Sequence, residues 1–205
     1  KGSFTNRVQV KTPNGLSWMT VPLDGHKLGQ AINEVRVQLY EKWMPGHLDL
    51  LAKSFDGAPY LDDVMTIVKD VYSKGHRNIG LLARHSLMAL AEYFNLRSTT
   101  QFIDVSSLGI EGSSSDRVLA IVKAVGGTRY ITGHGARNYL NHDIFESERI
   151  QVEYMDYQCV PYPQNHGCFT PYVTGLDLVA NLGPAGSSNI CSESIYWKDF
   201  LYEPN

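Results

Sequence analysis

The residues best suited to chemistry lie close together in residues 128–140, where His134 stands between Gly133 and Gly135 and is followed by Arg137. A histidine can take a proton near neutral pH. Residues 129–132, β-branched and aromatic in character, predict a short strand leading into it, and Ala136 onward predicts the first turn of a helix. A strand that ends in Gly-x-Gly and opens a helix offers backbone N–H groups and a helix dipole to a phosphate or carboxylate. His134 is then a candidate general base at the lip, with Gly133, Gly135 and Arg137 as binding groups. The competing reading is a tight turn whose glycines serve geometry and whose histidine is solvated. Gly-x-Gly alone favours that reading.

A second such stretch is residues 159–172, which contain Cys159, Tyr162, Gln164, His166 and Cys168. Prolines, glycines and hydrogen-bonding side chains predict a loop here, and Tyr162, Gln164 and His166 are candidate substrate contacts. The loop feeds a helix over residues 173–181 ended by Gly183-Pro184. Asp177 on that helix is a candidate catalytic carboxylate, against the plainer reading of an exposed helical acid. Cys159 or Cys168 could act as a nucleophile activated by His134 or His166, because the thiolate is the reactive form. Free cysteines are more often buried hydrophobes, which ranks the covalent reading lower. A metal site would have to collect His134, His142, Asp143 and His166, whose spacing fits no ligand motif, so neither metal nor other cofactor is expected.

Elements that would position these residues can be read in order. Residues 8–11 and 16–21 predict a hairpin across Thr12-Pro13-Asn14-Gly15, since Pro presets the turn and Asn-Gly supplies positive φ. The spacing of Ile32, Val35, Val37 and Leu39 suits a further strand. Three helices follow: one from Trp43 to Phe55, stopped by Gly57-Ala58-Pro59, then residues 60–72 and 79–96. His76 and His85 in this stretch read as solvated or packing histidines. From Gln101 the pattern turns to short alternating elements, with a strand over residues 101–107 ending in Ser106 and Ser107 and a helix carrying Val118, Leu119, Ile121, Val122 and Val125. The strand before His134, a short helix to about Phe145 and a strand over residues 150–155 complete a β-α-β-α-β reading. The fold class predicted is α/β, a parallel Rossmann-like sheet core with an N-terminal β-hairpin and a helical middle segment. In open parallel sheets ligands bind outside the carboxyl ends of the strands, so Ser106, Ser107, residues 133–135 and residues 162–169 are expected around one crevice.

Composition narrows the classes. A chain of 205 residues can bury about 70% of its unfolded surface in a single domain without disulfides or metal. Its net charge of -3 argues against a general nucleic-acid surface. Three widely spaced cysteines without a C-x-x-C pair predict free thiols in a reducing cytoplasm. No run approaches the roughly 20 apolar residues of a membrane span, and residues 1–7 are no signal peptide.

Blocks along the chain also follow a known pattern. Asn6-Arg7, Trp18-Met19-Thr20-Val21-Pro22, Trp43 with His47, Ala58-Pro59-Tyr60, Ser106-Ser107 and Asp116-Arg117 come first. Tyr130-Ile131-Thr132-Gly133 with Tyr139-Leu140, Tyr162-Pro163-Gln164, Phe169, and Leu176-Asp177 with Asn181 and Gly183 complete the series. In this order they resemble the WbqC-like protein family from residue 1 to about residue 190, with residues 191–205 as an individual tail. The resemblance implies a bacterial setting among genes for O-antigen and other surface polysaccharides, or natural-product clusters. It implies acyl or aminoacyl transfer to an amine, such as an amino sugar nucleotide, from a thioester on an acyl-carrier protein or CoA. A non-catalytic ligand-binding scaffold and a thioester hydrolase are the alternatives. Members usually open with a strand, a helix and an Asp-Asp pair ahead of the Asn-Arg block, a segment this chain is expected to lack, and the family does not demand His at position 134.

Overall fold

The computed structural model of the chain describes residues 5–27 and 29–202. The reading of residues 1–7 as no signal peptide, and the last residues of the tail, lie partly outside these. In chain order the elements are β1 (Arg7–Thr12), β2 (Gly15–Thr20), β3 (Leu23–Asp24), β4 (Arg36–Val37), α1 (Met44–Ser54), α2 (Leu61–Ser73) and α3 (Ile79–Tyr93). Then come α4 (Ser114–Ala124), β5 (Arg129–Thr132), α5 (His142–Ser147), β6 (Gln151–Tyr157), α6 (Gly175–Leu182), β7 (Ser192–Tyr196) and α7 (Trp197–Tyr202). The protein is thus mixed α/β. It divides into two compact units, one of Lys1–Thr100 with Val160–Asn189 and one of Gln101–Cys159 with Ile190–Asn205.

In the first unit β1 and β2 pair antiparallel from Arg7↔Thr20 to Thr12↔Gly15, the hairpin expected from Pro13-Asn14-Gly15. Gly15 takes a φ of +102°, which the turn demands and which side chains disfavour. The predicted strand over residues 32–39 shrinks to the two residues of β4, paired with β3, after a 3-10 turn at Ile32–Glu34. The three predicted helices are present. Pro45 sits in the first turn of α1, where its missing N–H costs nothing. Val64, Val68 and Val71 bury one face of α2, and Asn78 caps α3 by accepting from the Leu81 N–H at 3.0 Å. Val35, Val37, Trp43, Val71, Ile79 and Leu82 close a core among them. Leu178, Val179 and Ala180 bury α6, and the Tyr60 N–H donates to the Ala180 carbonyl at 3.1 Å.

The second unit carries a sheet of order β5-β6-β7, with β5 and β6 parallel and β7 antiparallel to β6. Only part of the alternating pattern is therefore a parallel crossover. Residues 101–107 form no strand. The Asp104 side chain accepts from the Ser106 N–H at 3.0 Å and from its hydroxyl at 2.7 Å, and the Ser107 N–H reaches the Asp104 carbonyl, so a 3-10 turn over Val105–Leu108 replaces extended pairing. The helix expected from Ala136 is also interrupted. A 3-10 turn over His134–Asn138 ends at Tyr139, and α5 starts afresh at His142 with Asn141 as its cap. Residues 192–202 are a strand and a helix of this unit. Trp197 joins Phe145, Val152 and Tyr154 in its core, and Tyr196 and Trp197 donate to the Glu146 carboxylate at 2.6 and 2.8 Å.

Gly183 shows how tightly the first unit is closed. It sits at φ +58°, ψ -147°, and a Cβ there would come within 2.5 Å of the Tyr60 ring. Gly57 has φ +76° but open space around it. Gly183→Ala should destabilise by about 3 kcal/mol or more, from backbone strain and overlap together. Gly57→Ala should cost about 1–2 kcal/mol from conformation alone. Urea denaturation of both variants checks the difference, and equal losses would count against the Tyr60 contact.

Candidate functional site

The first unit holds a cavity of about 640 Å³, within the usual size of small-molecule sites. Val68, Val71, Leu82, Leu87 and Leu90 of α2 and α3 supply much of its apolar wall, and residues 173–176 close another part of it. Arg7 and Arg84 also line it, whereas no Asp or Glu among the described residues does. Arg7 lies with its guanidinium carbon 4.1 Å from the centre of the Trp18 ring, and its Nε is buried without a hydrogen-bond partner among the described residues.

His47 on α1 is 8% exposed and belongs to the same lining. Its Nε2 lies 3.0 Å from the Thr20 carbonyl, which can only accept, so Nε2 carries the proton. Nδ1, 2.9 Å away from the Tyr72 hydroxyl, must then accept from it. Both ring nitrogens are committed, and the ring ties the hairpin to two helices. Desolvation lowers the His47 pKa, with the Thr20 carbonyl acting the other way.

Beside this lies a buried polar network in the same unit. Lys11 is 6% exposed and its Nζ donates to Gln164 Oε1 at 3.1 Å, the Gly167 carbonyl at 3.2 Å and the Cys168 carbonyl at 2.5 Å. Gln164 Nε2 donates to the Tyr162 hydroxyl at 3.2 Å and the Thr170 carbonyl at 3.0 Å, while Oε1 accepts from the Thr170 N–H at 2.9 Å. Tyr162 in turn donates to Asp177 Oδ1 at 3.0 Å. Asp177 is not the exposed acid expected on a helix: it is 1% exposed, and its Oδ2 has no hydrogen-bond partner among the described residues. Burial raises its pKa, against the Tyr162 hydrogen bond, the Lys11 charge and the amides of Gln164 and Asn181. His166 Nε2 donates to the Ser54 carbonyl at 2.8 Å, and Cys168 is exposed.

The remaining expected residues belong to the second unit. Ser106 and Ser107 are engaged by Asp104 in an exposed turn. Gly133, Gly135 and Arg137 are exposed, and neither glycine has a positive φ or a neighbour that a Cβ would meet. His134 is exposed, with Nε2 2.6 Å from the Met155 carbonyl and its ring 4.8 Å from that of Phe200. Nε2 therefore donates, which leaves Nδ1 as the acceptor. Cys159 is exposed rather than buried, as is Cys191. His142, one of the four residues of the metal reading, is buried against Tyr154 and Trp197. Among the described residues no group of three or more His, Cys, Asp and Glu is placed to hold a metal ion. No helix among them is long and apolar enough to cross a membrane.

Arg7, Lys11 and the cavity were not singled out from the sequence. The available signal is the period of two in β1, which puts Arg7, Gln9 and Lys11 on one face of the strand.

A mixed α/β protein whose first unit holds a largely apolar cavity lined by two arginines is the class that fold and site define. The chain belongs to the WbqC-like protein family, whose pattern matches residues 1–189. It is 27% identical over 186 residues to the uncharacterized protein Rv1507c of Mycobacterium tuberculosis (strain ATCC 25618 / H37Rv), covering 89% of this chain and 79% of that one. No solved structure matches.

Acid should weaken the first unit through His47. Its folded pKa lies below the ordinary value of 6.5, so the unfolded chain binds the proton first. Stability from the neutral ring is complete above about pH 6.5 and is lost as pH falls towards the folded pKa. His142 in the second unit is lowered in the same direction by burial, against Asp143 and Glu146. Urea midpoints measured from about pH 8 down to about pH 5 should fall, and His47→Gln and His142→Gln should each flatten part of that fall. An unchanged slope in His47→Gln contradicts the assignment.

Proposed function

We propose that the protein transfers an acyl or aminoacyl group from a thioester donor to an amine, in the making of a bacterial surface polysaccharide or natural product. The observation that carries this reading is the apolar cavity of about 640 Å³ in the first unit, which suits the hydrocarbon part of an acyl group. The donor would be an acyl-carrier protein or acyl-CoA, the acceptor a small-molecule amine or amino sugar nucleotide, and the compartment the cytoplasm. In the reaction the amine nitrogen attacks the thioester carbonyl carbon, a C–N bond forms, the C–S bond breaks and the thiolate leaves, while a base removes the amine proton. His134 suits that last task. Its Nε2–H is held by the Met155 carbonyl, which leaves Nδ1 as the proton acceptor. Asp177, with its raised pKa, Cys159 and Cys168 are further catalytic candidates in this reading, and Gly133 and Gly135 are candidate donors to the oxyanion.

One observation favours a ligand-binding protein without chemistry. The histidine within the cavity lining, His47, has both ring nitrogens committed and so no acceptor for a substrate proton. Incubation with acyl thioesters and amine acceptors, followed by mass spectrometry, separates the readings. Amide product supports transfer, free acid alone supports thioester hydrolysis, and neither supports binding. With His134 as base, His134→Ala should lower turnover by about 10²–10⁴-fold while the protein stays folded. Full activity in that variant removes His134 from the mechanism.

A further inference from the structure

We propose that the cavity of the first unit selects an anionic amphiphile, an apolar body ending in a carboxylate that Arg7 reads. This rests on the acyl-site reading of the same cavity and adds a free carboxylate at the end of the acyl chain distant from the thioester, for which the carboxylate of a simple fatty acid stands in. The wall is apolar apart from a few groups, and the charged ones among the described residues are Arg7 and Arg84. His47, the remaining imidazole there, is disfavoured as a cation by its burial. Arg7 therefore brings positive charge to a lining that, among the described residues, includes no carboxylate.

The posture of Arg7 specifies where the anion goes. Its guanidinium lies over Trp18 at 4.1 Å, a stacking that uses the flat face and leaves the N–H edge for in-plane partners. The Nε–H on that edge is buried and unpaired among the described residues. A buried donor left unpaired is unfavourable, and a ligand oxygen that reached it would remove that penalty. A carboxylate meets such an edge with two parallel hydrogen bonds, a geometry that an amide or alcohol cannot match. The strand start is itself fixed: the Val21 N–H donates to the Asn6 carbonyl at 2.8 Å, and Asn6 Nδ2 donates to the Val21 carbonyl at 3.2 Å. Arg7 is thus presented from a rigid hairpin.

The test compares octanoate, octanamide and octylamine on the unaltered chain by calorimetry, with amide chemical shifts of residues 173–176 reporting occupancy of the cavity. Octanoate should bind about ten- to hundred-fold more tightly than octanamide, the range of a charge-assisted hydrogen-bonded pair, with octylamine weakest. Arg7→Gln should erase most of the preference for the acid, and Arg7→Lys should keep part of it. Equal binding of acid and amide, with shifts at residues 173–176, overturns the charge selection while the apolar site stands. Absence of binding by all three overturns the cavity reading itself. A preference that survives Arg7→Gln overturns Arg7 as its reader.

Discussion

Lys11 carries an ammonium into the interior of the first unit, and the long loop after residue 160 is built to satisfy it. An unpaired buried charge would cost several kcal/mol. Three oxygens answer it within 3.2 Å, one from the Gln164 side chain and two from the backbone of Gly167 and Cys168. Residues 162–170 contain no helix or strand, so side-chain and turn bonds do the work that a ladder does elsewhere. Gln164 is the hub, since its amide meets Lys11, Tyr162 and both polar backbone groups of Thr170.

From that loop the order passes to the cavity. The Thr174 N–H donates to the Gln9 carbonyl at 2.8 Å, and the Thr174 hydroxyl caps α6 at the Leu176 N–H. Residues 173–176, part of the wall, are thereby fixed to β1, the same strand that presents Arg7 and Lys11. One residue further on, Asp177 is buried with one oxygen unpaired among the described residues. Burial of that carboxylate raises its pKa, and the partners around it pull the other way.

Much of this was legible in the residues. The hairpin, the three middle helices and the irregular loop follow from Pro, Asn-Gly and apolar spacing, which act locally. The strand expected over residues 101–107 failed because Asp104 offers its own neighbours a better acceptor than a distant strand does. Burial of Asp177 was invisible, since helical spacing shows that Leu176, Val179 and Ala180 pack but not that Tyr162 reaches across to the acid between them. The tail gave no signal that Trp197 would enter a core. In the second unit Glu153 is likewise buried within the sheet, where Arg129 from β5 and Ser194 from β7 both bond to it. Such cross-strand partners depend on register, which periodicity does not specify.

The central claim is that the buried Lys11 ammonium holds the loop and, through it, the start of α6. Hydrogen–deuterium exchange on Lys11→Met tests it most directly, because methionine keeps the apolar stem and removes only the donors. The amides of Thr170 and Thr174 should exchange about ten-fold or more faster, as local opening becomes easier, while those of Val152 and Tyr154 in the second unit keep their protection. Unchanged exchange at Thr170 and Thr174 would contradict the account.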